Sequence, residues 1–305
     1  MTHARAGRVN RHFRGIAFIV VSVMCFAALD TTTKLVALAA PVAMLMWVRF
    51  LFQTVLTCGA LLPSRGVALF HTRKPGLQFL RGVLLLMCSV SAFFSLLFMP
   101  VGEFTAIIMI TPLVITVIGA LLLRETVSWL RWLCVVSGFV GCLVVIRPGS
   151  ETFHWAMLLP LLLVAANTGY QILTSHLTKT EDPGTLHFYT GLVGLLLSTL
   201  LLPFVWQSLS MNVWLMLLLV SVFSTLGHFV LILAYARAPV VVLTPYLYLQ
   251  VGFAALGGWL VFSHVPDAWA LSGIALITAS GVLGTWLTGR EAMQQAASPP
   301  RSLNQ

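Results

Sequence analysis

Charge is scarce in this chain. Lys, Arg, Asp and Glu make up 8% of its 305 residues, against 59% hydrophobic. That ratio excludes a soluble globular fold, which needs enough polar side chains to cover its surface. Strand-type alternation is also lacking, which argues against a membrane barrel. There is no G-x-x-x-x-G-K-[ST] and hence no P-loop ATPase. H-E-x-x-H and G-x-S-x-G are missing, which removes the zincin and hydrolase signatures. No potassium-filter sequence or ring-forming charge series points to a channel. The five cysteines (Cys25, Cys58, Cys88, Cys134, Cys142) sit inside apolar runs without metal-type spacing. They read as small packing residues, so neither a metal nor a cofactor is implied.

What is abundant is apolar sequence in long runs. A helix needs about 20 apolar residues to cross the hydrocarbon core. Ten runs qualify, at 15–38, 41–62, 78–99, 102–123, 130–147, 153–175, 184–205, 212–236, 239–262 and 267–288. The expected fold class is an all-α integral membrane protein with ten transmembrane helices. A secretory signal ending at Ala37-Leu38-Ala39 is the competing reading of the start. The first run is too long for a signal core and carries Asp30 and Lys34.

The ten runs divide into two sets of five, and the second set echoes the first. Pro100, Thr105 and Gly119 recur 139 positions later as Pro239, Thr244 and Gly258. A unit with an odd number of crossings enters its copy from the opposite side, which makes the repeat inverted. Charge placement agrees. With the N-terminus in the cytoplasm, 14 of the 17 Lys and Arg, Arg81 counted among them, fall on the cytoplasmic side. Only Arg147 falls outside, and Lys34 and Arg49 lie within spans. The positive-inside rule then places both termini in the cytoplasm. The net charge of +9 follows from this bias, so no nucleic-acid partner is needed to explain it. The expected organisation is a basic cytoplasmic N-terminus over 1–14 and a first five-helix unit over 15–149. An inverted second unit over 152–289 and a disordered cytoplasmic tail over 290–305 follow.

Polar residues within the spans are costly and face a cavity or the bundle interior. Asp30, Thr31 and Lys34 share one side of the first span. Asn167, Tyr170, Gln171 and Thr174 form a stripe in the sixth, at a corresponding place in the other half. His228 lies on an eighth-span stripe with Ser221 and Thr225. The ninth span carries Thr244, Tyr246, Tyr248 and Gln250. Ser, Thr and Cys at such spacing also serve plain helix packing. Small size cannot explain Asp30, Lys34, Arg49 and His228. Arg49 lies some 12 Å below the start of its span at helical rise. It either pairs with Asp30 to fix the first two helices, or joins it in receiving an anionic or zwitterionic substrate. Thr111-Pro112 and Pro245 mark expected bends near the middle of the fourth and ninth spans. Ser137, Gly138 and Gly141 in the fifth span, with Gly273, Gly281 and Gly284 in the tenth, suit close contacts and mark these spans as scaffold.

The stretch from Pro100 through Thr111-Pro112-Leu113, then Leu123-Arg124-Glu125, Arg131-Trp132, Ser137 to Gly141 and Arg147-Pro148-Gly149, resembles the EamA repeat of the drug/metabolite transporter superfamily. Lys34 and Arg49 fit the same pattern. The second half is more divergent, with His264 standing where the first has Glu125. The resemblance implies ten helices in two inverted five-helix EamA repeats, termini inside, and a central cavity shared by both. Asp30 with Lys34, Trp47-Val48-Arg49, Phe153-His154-Trp155, Tyr170 to Thr174, and Gly227-His228 resemble the riboflavin-transporter-type branch. An acid followed by Lys in the first span also resembles S-adenosylmethionine-uptake members.

The expected function is inner-membrane secondary transport of a small organic metabolite, with riboflavin or a similar heteroaromatic compound in the lead. Tyr170, Tyr246, Tyr248 and Trp47 are candidates to stack on its ring. Asn167, Gln171 and Gln250 are candidates for its polar edge, with Asp30, Thr31 and Thr111 expected on the opposing wall and Lys34 on the same face of the first span. Asp30, Arg49 and His228 would handle charge or protons. The expected partners are the substrate and the lipid bilayer, with homodimerisation left open. An exporter of amino acids or drugs is the alternative within the class. A non-transporting membrane sensor or assembly protein is the alternative outside it. A membrane-embedded enzyme would need a nucleophile–base or metal constellation, for which a lone His228 is too little.

Overall fold

The computed structural model describes residues 2–122, 127–151, 153–238 and 240–297. The expectations attached to Arg124, Glu125, Pro239 and residues 298–305 lie outside the described residues. Among the described residues ten spans are long and apolar enough to cross a membrane, and they follow the runs read from sequence closely except at the end of the second, which extends to Phe70. They are built from helices α1 (Thr2–Val36), α2 (Val42–Arg65), α3 (Pro75–Phe98), α4 (Val101–Ile108), α5 (Thr111–Leu122) and α6 (Trp129–Ile146) in the first half. The second half holds α7 (Leu159–Leu177), α8 (Pro183–Val205), α9 (Met211–Tyr235), α10 (Val240–Leu247), α11 (Leu249–Phe262) and α12 (Ala268–Ala297). The last helix continues past Arg290, where an irregular tail was expected.

Local chemistry sets the ends. Pro75 and Pro183 open α3 and α8 from the first turn, where a missing N–H costs nothing. Asp182 caps α8 by accepting from the Gly184 N–H at 2.8 Å. Pro41 and Pro100 hold the chain extended between consecutive spans. Large apolar side chains such as Leu196, Leu200, Phe204 and Leu215 point outward, as lipid contact requires.

Two spans are broken, and the breaks are related. The fourth span separates into α4 and α5 at Met109–Ile110, and the ninth into α10 and α11 at Tyr248. The 139-residue offset that relates Thr105 to Thr244 also carries Met109 onto Tyr248. Pro112 cannot donate to the Ile108 carbonyl one turn back. The Thr111 hydroxyl does so instead, at 2.7 Å, which satisfies the freed group and fixes the bend.

The halves pair in a regular way. α1 packs on α9, α2 on α8, α3 on α7, α4 on α11 and α6 on α12. Exchanging the first five spans for the second five maps this set of pairs onto itself. α6 and α12 meet almost backbone to backbone at Gly141 and Gly273, where only glycine leaves room. They form a scaffold to one side, and the other spans surround the interior.

Candidate functional site

A cavity of about 120 Å³ lies at the centre of the bundle. Its position is easiest to follow along α3. Arg81 lies below it, Leu85, Cys88, Ser89 and Ala92 line it, and the Leu96 and Met99 carbonyls lie above it. Asp30, Arg49, Ser89, Asn167, Tyr170, Gln171, His228, Tyr235 and Gln250 are its polar lining. Both halves of the chain contribute. The apolar remainder of the wall includes Phe26, Leu29 and Phe104.

Each polar side chain is held. Asp30 Oδ2 accepts from Thr105 Oγ1 and from Gln250 Nε2, both at 3.3 Å. Arg49 donates through Nε to Ser224 Oγ and through Nη1 to Ser89 Oγ, with its guanidinium 5.1 Å from the Phe50 ring centre. Asp30 and Arg49 face one cavity from adjacent helices, but each takes neutral partners. The direct ion pair, one of the two readings of these residues, is not formed. The reason is local supply: Ser89, Ser224, Thr105 and Gln250 reach the charged groups first, and a buried charge needs hydrogen bonds as much as a countercharge.

His228 Nδ1 lies 2.9 Å from the Ser224 carbonyl. A carbonyl only accepts, so Nδ1 carries the proton, and in the neutral ring Nε2 is the free acceptor. The ring stands edge-on to Phe26 at 4.8 Å and to Tyr170 at 6.1 Å. Gln171 Oε1 accepts from the Tyr235 hydroxyl at 3.0 Å. Asn167 Nδ2 donates to Thr111 Oγ1 at 3.3 Å, so Thr111 supports the wall from behind while it fixes the bend.

The other sequence candidates lie elsewhere. Thr31 bonds back to the Ala27 carbonyl and packs where Gly257 crosses α1. Lys34 donates to the Leu96 and Met99 carbonyls, both at 2.8 Å, and so closes the end of α3 above the cavity. It lines a second pocket of about 350 Å³ together with Phe262 and His264. His264 in turn lies 3.5 Å from Glu103. Trp47 Nε1 donates to Thr199 Oγ1 at 3.1 Å and stands edge-on to Trp206. Tyr246 packs against the apolar core, and Tyr248 is buried at the helix break beside Gly281. Pro112 and Pro245 lie in the broken spans, as their bend-forming chemistry requires.

Ser89, Tyr235 and Arg81 escaped the sequence reading, and Ser89 lines the cavity while it accepts from Arg49. Tyr235 supplies an aromatic wall and a hydrogen bond to Gln171. Arg81, counted among the loop cations, is fully buried. Its guanidinium donates to Thr174 Oγ1 (2.8 Å), Leu186 O (2.7 Å), Thr190 Oγ1 (2.6 Å) and Tyr170 Oη (3.0 Å). It lies 4.8 Å from the Tyr170 ring centre, directly behind a cavity residue. The span begins at Pro75, which puts Arg81 nearly two turns in. The signal was available in that proline. Gln53, Gln78 and His187 are also buried in this lower half of the bundle, and Gln53 Nε2 donates to the His187 carbonyl at 2.9 Å.

Comparison with known proteins agrees with this architecture. Residues 13–147 match the EamA-like transporter family. The chain is 27% identical over 277 residues to a protein of Brucella anthropi named riboflavin transporter, covering 87% of this chain and 95% of the other. It is 25% identical over 266 residues to a protein of Rickettsia bellii named S-adenosylmethionine uptake transporter, covering 86% and 90%. A protein crystal structure shares the fold with a TM-score of 0.61 at 18% identity, over 88% of this chain and 98% of the other. With ten apolar spans among the described residues and a match to the EamA-like transporter family over residues 13–147, the chain is a multi-pass inner-membrane protein similar to transporters of the EamA type.

Proposed function

We propose that this transporter is a secondary carrier for a small heteroaromatic metabolite, with riboflavin as the lead compound. It works by alternating access between two inverted five-helix repeats, over 15–149 and 152–289, with both termini in the cytoplasm. The observation that carries this reading is a central cavity lined by both halves. Asp30 and Arg49 of the first half face Asn167, Tyr170, Gln171 and His228 of the second across it. The repeat-related breaks at Met109–Ile110 and Tyr248 support it, because interrupted helices beside a midplane cavity are where carriers build their sites.

Tyr170 and Tyr235 offer faces or edges to a flat ring, and Asn167, Gln171 and Gln250 answer its polar rim. At about 120 Å³ the cavity is smaller than the roughly 300–1,000 Å³ of sites that enclose drug-sized ligands. Loading therefore requires the walls to part. The layers that must open are the Arg81 hydrogen bonds below and the Lys34 contacts above. S-adenosylmethionine is the second reading, supported by the Rickettsia bellii relative's name and by a carboxylate and a guanidinium that share one cavity without pairing.

The test is uptake into proteoliposomes of purified protein, with labelled riboflavin and S-adenosylmethionine, with and without a proton gradient. Saturable uptake that is lost on Tyr170→Ala is the expected result. Uptake indifferent to every cavity substitution would refute the site. Reporter fusions in the 63–77 loop and at the C-terminus test the orientation, and both should report cytoplasm.

A further inference from the structure

The interior carries an excess of positive charge. Among the described residues within the spans, the buried ionisable groups around and below the cavity include two guanidiniums, Arg49 and Arg81, and one carboxylate, Asp30; Glu181, also buried, lies between the spans, where it accepts from the Arg73 N–H at 3.0 Å. The other buried guanidinium, Arg131, is paired with Glu291 at 3.2 Å, away from the cavity. Arginine does not lose its proton in proteins. An ionised Asp30 cancels one of the two positive charges, and a protonated Asp30 cancels neither. His187 and His228 can only add to the excess. Lys34 and Glu103, nearer the span ends, offset each other in sign. Whatever the protonation of the acid and the imidazoles, the groups around the cavity within the spans therefore sum to a positive charge.

Neutral groups hold that excess. Arg81 has two threonine hydroxyls, a carbonyl and a phenol, and Arg49 has two serine hydroxyls. Such partners satisfy N–H donors but supply no countercharge, and an uncompensated charge away from water is costly. Arg49 spends Nε and Nη1 on the serines and keeps its Nη2 edge free of hydrogen bonds among the described residues. Arg49 lines the cavity, so that edge is available to a ligand. The Tyr170 hydroxyl accepts from Arg81, which leaves its own proton to donate. Arg49 and Tyr170 thus present donors to one cavity, and a second guanidinium stands 3.0 Å behind the phenol.

We propose that the transported molecule carries an anionic group, a carboxylate or a phosphate, which docks on Arg49 and Tyr170 and supplies the missing countercharge. The inference rests on the carrier reading above and moves its lead from riboflavin itself to acid-bearing compounds of the same class. A neutral heteroaromatic compound such as riboflavin would leave the excess in place, whereas one that bears an acid group removes it. Asp30, across the cavity and held by Thr105 and Gln250, is left to receive a donor or cationic group at the other end of the same molecule. Arg81 is a positioning residue: it orients the Tyr170 hydroxyl and adds its field from behind.

The experiment compares ligands that differ in the acid group and little else, on the purified full chain in detergent and in proteoliposomes. The pairs are riboflavin 5′-phosphate against riboflavin, nicotinate against nicotinamide, and S-adenosylmethionine against its decarboxylated form. Within each pair that binds, the acid-bearing member is expected to bind about tenfold tighter or more, since it gains a charge-assisted hydrogen bond. Arg49→Gln should erase that preference, and Arg49→Lys should keep its sign with lower affinity. The wild-type comparison decides the matter even where a variant fails to fold. If neutral members bind and are carried as well as their acid partners, the proposal falls and the carrier reading stands. If none of the six binds or is carried, both fall.

Discussion

The close crossing of α6 and α12 permits a quantitative test of the scaffold. At Gly273 of α12, a β-carbon would lie 2.6 Å from Val145 Cγ2, 2.7 Å from the Gly141 carbonyl oxygen and 3.1 Å from the Val145 nitrogen. Ordinary carbon–oxygen contacts begin near 3.3 Å, so the methyl of Gly273→Ala must move α12 away from α6 by about 0.6 Å. Two of the three obstacles are backbone and cannot rotate aside. Overpacking of this kind costs about 1–3 kcal/mol. The helix propensity gained by replacing glycine returns up to about 1 kcal/mol. A net loss of about 1–2 kcal/mol is expected, visible as a fall of several degrees in the unfolding temperature of the detergent-solubilised protein. Gly252→Ala is the control: it makes the same change in α11, where nothing lies within 4 Å, and should be neutral or slightly stabilising. The cavity lining comes from other helices than α6 and α12, so the KM of surviving Gly273→Ala protein should equal that of the wild type. Equal stability of the two variants would refute the close-crossing argument. A raised KM in a stable Gly273→Ala protein would show that the scaffold takes part in the site.

Three further outcomes are expected. Tyr170→Ala, Gln171→Ala and His228→Ala should each raise the half-saturation concentration about tenfold without lowering membrane expression. Each loses about 1–3 kcal/mol of hydrogen bonding or ring contact, and wild-type kinetics in all three would reduce the stripes to packing faces. Trp47→Phe should leave transport kinetics unchanged, because the indole is bonded to Thr199 and set against Trp206 away from the cavity; a large rise in KM would place it in the site. Asp267, outside the spans, is held below its ordinary value of 3.8 by its bond to Arg147. A carboxyl with a depressed pKa adds stability above its unfolded value and loses it as pH falls through the folded one. Asp267→Asn should therefore lower the unfolding temperature slightly at pH 7, and the difference should close below about pH 4; a difference that persists in acid would mean the pair contributes nothing through charge.

The outline of the fold was legible in the composition because a bilayer tolerates so few solutions. Backbone groups in lipid must be satisfied within the segment, so long apolar runs become helices, and their lengths and number could be read directly. The stripes on the first and sixth spans were legible for a related reason: helical spacing fixes which side chains share a face. Asp30, Asn167, Tyr170, Gln171 and His228 do meet at one cavity. The helix breaks were marked by Pro112 and Pro245, although the second break falls at Tyr248, three residues beyond its proline. What sequence could not supply was the partner of each polar group. Asp30 and Arg49 looked like a pair because they are the charges at similar depth. Tertiary packing instead brings Thr105 and Gln250 to the acid and Ser89 and Ser224 to the base, from four other helices. Trp47, Tyr246 and Tyr248 have the right chemistry for a ligand wall, but rotation of their helices turns them to other neighbours. Arg81 was missed because a cation near a span end reads as a loop residue until the depth of its helix is known. Periodicity along a single helix is written in the chain itself. Which faces meet, and which charge ends up facing which hydroxyl, depends on how ten helices rotate and cross, and only the packed bundle decides that.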